Sequence, residues 1–117
     1  MCKEKLAQKA QLDTINRAKD YSAEIYDCIK NSIILTRENV QPVKTKSKKN
    51  PMPTFIETDI VSAAFNVKPE KTITVLDSAG YKNPGGGYMR GMLGQEEALC
   101  HESFLYNVLR DRMDFYV

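Results

Sequence analysis

An α/β fold is what this sequence predicts, and three observations carry the expectation. Two short stretches rich in β-branched and aromatic residues, Thr54-Phe55-Ile56-Glu57-Thr58 and Thr72-Ile73-Thr74-Val75-Leu76, read as strands. Residues 60–66 and about 95–110 carry apolar side chains at helical spacing. The second strand runs into a glycine-rich loop that opens the last helix, an order that belongs to layered α/β folds with adjacent parallel strands.

The elements follow in order. Residues 3–35 read as helix, because Leu6, Ala10, Ile15, Ala18, Ile25, Ile29 and Ile33 recur at near-helical steps among charged positions. Asp13 or Asp20 offers a cap for an internal break, so one long helix and two shorter ones both fit. Residues 37–53 are polar, lysine-rich and punctuated by Pro42, Pro51 and Pro53, which marks a loop. After the first strand, Asp59 is a candidate N-cap for a short helix whose Ile60, Ala63, Ala64 and Val67 share one side. The run of residues 72–76 suggests a strand buried on more than one face. In the last helix, Ala98, Leu99, Phe104, Leu105, Val108 and Leu109 supply the apolar side. The chain thus divides into a helical segment 1–36, a polar loop 37–53 and an α/β part 54–117.

Two strands make a marginal sheet, and the sequence closes on the apolar Phe115-Tyr116-Val117. The expectation is therefore the front part of a longer domain, with a mixed sheet incomplete in this chain.

Composition excludes several classes. With 117 residues, 42% of them hydrophobic and 27% charged, the chain is expected to fold as one domain. A net charge of +2 gives no footprint for specific nucleic-acid binding. The one basic cluster, Lys44, Lys46, Lys48 and Lys49, reads as a solvated loop. Three scattered cysteines without a CxxC argue against a disulfide framework or a zinc site and fit a reducing compartment. No membrane span or signal peptide is apparent, so the cytoplasm is the expected location, with no metal or cofactor.

The chemistry concentrates in residues 83–99, Asn-Pro-Gly-Gly-Gly-Tyr-Met-Arg-Gly-Met-Leu-Gly-Gln-Glu-Glu-Ala-Leu. A strand, a glycine turn and a helix N-terminus together make an anion site, since glycines let backbone N–H groups approach a phosphate and the helix dipole assists. The nucleotide-triphosphate fingerprint is absent, and Gly85, Gly87 and Gly91 only partly imitate the dinucleotide spacing. By itself the triple glycine fits a structural turn as well as a phosphate loop. Glu96 and Glu97 are neighbours on a helix, about 100° apart around its axis, so one can meet a ligand while the other faces elsewhere. Acidic residues in a first helical turn also simply complement the dipole.

Three glycines, seven residues and then Gln-Glu-Glu, followed by Ser103-Phe104-Leu105-Tyr106, resemble the signature of the poly(ADP-ribose) glycohydrolases, and the context is similar to their microbial branch. The resemblance covers about residues 54–110 and implies a macrodomain-like fold preceded by helices. It implies that Gly85, Gly86 and Gly87 cradle the diphosphate and distal ribose of ADP-ribose. Gln95 and Glu96 would set the ribose hydroxyls, Glu97 would be the catalytic acid assisted by its neighbour Glu96, and Asn83 would contact a ribose. The implied reaction is hydrolysis of the ribose–ribose O-glycosidic bond in poly(ADP-ribose). The polymer or ADP-ribose is then the ligand, and ADP-ribosylated proteins are possible partners. Two alternatives stay open: a module that binds ADP-ribose without cleaving it, and an inactive fragment. Where this family often carries Asn-Phe-Ala-Ser, this chain has Asp77-Ser78-Ala79-Gly80, and an acid there has to point away from a diphosphate.

Other reactive residues read as structural. Cys100 lacks an activating base and is expected to be a buried thiol. His101 has no companion at ligand spacing and is expected at the surface or half-buried. Arg90 is expected in solvent, with a phosphate contact as the alternative.

Overall fold

The computed structural model describes residues 1–44 and 50–117. Among them are five α-helices: α1 (Lys3–Asp20), α2 (Ser22–Asn31), α3 (Ile60–Phe65), α4 (Gln95–Glu102) and α5 (Leu105–Leu109). A single 3-10 turn spans Tyr88–Arg90. No strand occurs among the described residues, so the α/β expectation, the macrodomain-like partial sheet included, is overturned in favour of an all-helical arrangement. Of the basic cluster, only Lys44 lies within the described residues.

The reason lies in what β-propensity measures. Val, Ile, Thr and Phe favour strands because they pack well on a pleated surface beside other strands. Residues 54–58 and 72–76 pair with no strand among the described residues, and Phe55 is 92% exposed and Leu76 75% exposed. Residues 72–76 instead lie against α3, where Ile73, Thr74, Val75 and Leu76 with Ile60, Ala63, Ala64 and Val67 line an open concavity of about 260 Å³.

The helices themselves follow local rules. Asp59 caps α3, its carboxylate accepting from the Ser62 amide at 2.9 Å and the Ser62 hydroxyl at 2.6 Å. The helix read over residues 3–35 is two helices broken at Tyr21, whose backbone leaves the helical region (φ −125°, ψ 30°). Asp13 caps nothing; it pairs with Lys9 at 2.5 Å and with Arg17 at 3.8 Å on the same helix. Residues 32–35 fall outside α2. The last helix is also broken: Ser103 is extended, its hydroxyl donates to the Leu99 carbonyl at 2.7 Å and accepts the Leu105 amide at 3.2 Å. Such local side-chain bonds compete with helix continuation.

The core is small. Ala10, Tyr88 and Cys100 form its fully buried centre, with Met89, Leu105 and Tyr106 packed around it. The radius of gyration, 16.4 Å, exceeds the roughly 13 Å of a compact chain of this length. Polar contacts therefore carry much of the positioning.

Those contacts run along one stripe of α1: Lys3, Ala7, Ala10, Thr14 and Arg17. A Cβ on Gly91 would strike the Lys3 carbonyl oxygen and come within 3.0 Å of the Ala7 nitrogen. The Tyr88 hydroxyl donates to the Ala10 carbonyl at 3.4 Å. Thr14 reaches the Met89 sulfur, and its carbonyl accepts from buried Asn107 at 3.0 Å. The stripe is not the most apolar one available, since Ile15 is 56% exposed. Small side chains let the loop come close, and hydrogen bonds satisfy Thr14 and Arg17, which outweighs hydrophobicity at this contact.

Candidate functional site

The glycine loop folds as a tight turn on top of α4. Gly85 and Gly86 adopt left-handed backbone (φ 67° and 59°), which side-chain-bearing residues rarely tolerate. The Gly86 amide donates to the Asn83 carbonyl at 3.0 Å and the Tyr88 amide to the Gly85 carbonyl at 3.0 Å. Gly85 is also sterically required, because a Cβ there would lie 2.8 Å from the Tyr106 ring and 3.3 Å from the Cys100 sulfur.

The three polar residues that start α4 divide their work. Gln95 holds the chain on both sides of Asp77: its amide nitrogen donates to the Leu76 carbonyl at 2.7 Å, and its oxygen accepts the Ser78 amide at 2.7 Å. Glu96 is buried and accepts the Gly80 amide at 3.3 Å. Glu97 is half-buried and lies across the loop, where its Oε1 accepts the Gly87 amide at 2.9 Å. A Cβ added to Gly86 would come within 2.7 Å of the Glu97 carboxylate, and one on Gly94 within 2.5 Å.

Behind the loop is an acidic pocket. Burial, and then the charge of Asp77, raises Glu96 above its ordinary value, although the Gly80 and Gly85 amides pull the other way. Asp77 is raised by burial first and by Glu97 second. Burial pushes the Tyr116 hydroxyl up to about 12, with Glu96 and Asp77 adding to the effect. Asp77 Oδ1, Glu96 Oε1 and Tyr116 Oη are all buried without a hydrogen-bond partner. Protonation of the carboxyls relieves the cost that bare buried charges would impose.

The structure thus brings Gly85, Gly86, Gly87, Gln95, Glu96 and Glu97 together. Asn83, whose carbonyl accepts the Gly86 amide, lines a shallow concavity of about 250 Å³ with Gly80, Tyr81, Lys82 and Gly86. Gln95 and Glu96 face the 76–80 segment. Arg90 is exposed and approaches the Met92 sulfur. Cys100 is buried, its thiol pushed up to about 12 by burial. His101 is buried rather than superficial, edge-on to Tyr88 with ring centroids 4.8 Å apart, and burial lowers its pKa. A larger concavity of about 620 Å³ includes none of the loop glycines and none of the three residues Gln95, Glu96 and Glu97. Among the described residues no group of His, Cys, Asp or Glu is placed to hold a metal, and no helix is long and apolar enough to cross a membrane.

Sequence reasoning passed over Arg17, Tyr88 and Gly94, took Gly91 only as part of an imperfect dinucleotide spacing, and named Asp77 only as an acid to be turned away. A glycine at each end of the Gly87–Gly94 segment was the available signal for Gly94. Nothing local marks Arg17, whose partners lie 71 to 84 residues further along the chain.

This arrangement places a carboxyl group on a backbone N–H of a glycine turn at the mouth of a short helix. The loop amides are bonded within the protein, that of Gly86 to the Asn83 carbonyl and that of Gly87 to Glu97. No similar curated protein and no similar solved structure was found. The family model for the microbial-type PARG catalytic domain matches residues 2–117. With that match spanning nearly the entire length, and with the Gly-Gly-Gly and Gln-Glu-Glu elements in mutual contact, the chain belongs to the microbial-type poly(ADP-ribose) glycohydrolase catalytic-domain family.

Proposed function

We propose that the protein hydrolyses ribose–ribose O-glycosidic bonds in poly(ADP-ribose) and releases ADP-ribose. The observation that carries this reading is the 2.9 Å contact between Glu97 Oε1 and the Gly87 amide. It joins the one half-buried carboxyl of the Gln-Glu-Glu element to the loop expected to receive the diphosphate.

Cleavage of a glycosidic bond needs a proton for the leaving oxygen and tolerance of an oxocarbenium-like centre. In its acid form Glu97 supplies the proton to the leaving oxygen, then as a carboxylate takes one from the incoming water, and the substrate's own phosphates stabilise the positive charge. In the free protein the Glu97 carboxylate occupies the Gly87 N–H that a phosphate oxygen would otherwise use. Binding of the diphosphate therefore displaces Glu97 Oε1 from that amide and turns the carboxyl toward the scissile bond. Glu96, facing Asp77 and Gly80, acts on the reaction by holding the loop's lower edge.

The test is turnover of poly(ADP-ribose) beside calorimetric titration with ADP-ribose, for the wild type and Glu97→Gln. The reading expects Glu97→Gln to retain ADP-ribose binding and to lose roughly 10²–10⁴-fold in rate, the usual weight of a general acid. Binding by the wild type without any release would instead make the protein an ADP-ribose-binding module, and neither binding nor release would overturn both.

A further inference from the structure

At the end of α4 Ser103 is extended and its hydroxyl takes only the Leu99 carbonyl, so the last-turn carbonyls of Cys100 and His101 find their donor elsewhere. Such carbonyls need donors, and a cation there also complements the helix dipole. The donor comes from α1. One nitrogen of the Arg17 guanidinium donates to the Cys100 carbonyl at 2.8 Å and to the Tyr88 hydroxyl at 3.3 Å, and the other donates to the His101 carbonyl at 2.5 Å. Asp13, 3.8 Å away on the same helix, steadies the group.

We propose that Arg17 is a positioning residue for the site: it fixes the offset between the glycine loop and α4 on which the Glu97–Gly87 contact depends. Tyr88 directly follows Gly87, so a bond to its hydroxyl holds the loop. The two carbonyl bonds hold the far end of the helix that starts with Gln95, Glu96 and Glu97. An eight-residue helix is a rod of about 12 Å, so restraint at one end is felt at the other. The planar fork of arginine is what allows one side chain to serve three acceptors; a lysine ammonium on a flexible stem does not match that geometry. Tyr88 also donates to the Ala10 carbonyl, so loop, α4 and α1 form one hydrogen-bonded unit. The effect on turnover rests on the glycohydrolase reading above, whereas the effect on loop geometry does not.

The experiment compares wild type, Arg17→Lys, Arg17→Ala and Tyr88→Phe in the full chain. Site-resolved amide exchange is read at Gly87 and, as a control outside the unit, at Ile25 in α2, and turnover is measured per folded molecule. For Arg17→Ala, Gly87 exchange should accelerate on the order of tenfold with Ile25 unchanged. The kcat should fall on the order of tenfold at constant KM, since misplacement of a reacting group costs rate rather than affinity. Arg17→Lys should recover part of both, and Tyr88→Phe should move both in the same direction by less. Equal acceleration at Gly87 and Ile25 with unchanged kcat would reduce Arg17 to a general stabiliser and overturn the proposal, as would unmoved Gly87 protection. If Arg17→Ala does not fold, the Lys and Tyr88→Phe variants decide by the same readings. If the wild type cleaves no polymer, the functional reading fails, and Gly87 exchange alone decides the role of Arg17.

Discussion

Glu97 and Gly87 meet through a carboxylate–amide hydrogen bond of 2.9 Å, ten residues apart in sequence, and this bond closes the glycine loop onto the start of α4. The bond ties the loop to the first turn of the helix that starts with Gln95, Glu96 and Glu97. Two glycines exist to let the Glu97 side chain lie where it does.

Gly86→Ala and Gly94→Ala should therefore act through Glu97. The first places a Cβ 2.7 Å from Oε1 on a left-handed backbone, and the second 2.5 Å from Oε2. Turnover of poly(ADP-ribose) should drop at least about tenfold in both, while Gly80→Ala, which meets nothing within 4 Å, serves as the silent control. Equal rates for all three variants would refute the link.

Gly91→Ala tests how α1 supports the loop. Its φ of 73° costs an L-residue about 1–2 kcal/mol, and the added methyl collides with the Lys3 carbonyl. Urea denaturation should show a loss of at least that size. A variant as stable as wild type would mean that α1 does not pack there.

Stability should depend on pH through the acidic pocket. Glu96 and Asp77 are raised in the folded state above their ordinary 4.5 and 3.8. The folded protein thus holds these protons more tightly, and the stabilisation is complete below the ordinary values and lost as pH rises through the raised ones. His101, lowered from 6.5, has the opposite sign: its contribution is present above 6.5 and lost as pH falls through the lowered value. Glu96→Gln removes the Glu96 share of the first effect and leaves that of Asp77. Its melting temperature should exceed that of wild type near neutral pH, with the gap narrowing toward about pH 4. A gap that stays constant across the range would contradict the assignment.

Thiol labelling gives an independent check on the core. Cys2 and Cys28 are exposed, whereas Cys100 is buried with its thiol at about 12. At mildly alkaline pH two thiols should react promptly and the third only in denaturant, because the thiolate is the reactive form. Prompt reaction of all three would show that the centre of the core is open.

The sequence alone determined the local chemistry. Asp59 capping a short helix, the glycines of residues 85–87 in a turn and the Gln-Glu-Glu start of α4 all follow from rules that act within a few residues. The same spacing carried the family resemblance that the match over residues 2–117 supports. Tertiary structure decided the rest. Residues 54–58 and 72–76 have strand-like composition, yet strand formation depends on a paired strand, and none is formed among the described residues. The helix breaks at Tyr21 and Ser103, the burial of Ile25 rather than Ile15, and the reach of Arg17 to α4 depend on groups far away in the chain. That the Gln95 amide also bonds Leu76 and Ser78 is visible only in the fold. A side chain's type is written locally, but its partner is chosen by which backbone polar groups the packed chain leaves unsatisfied.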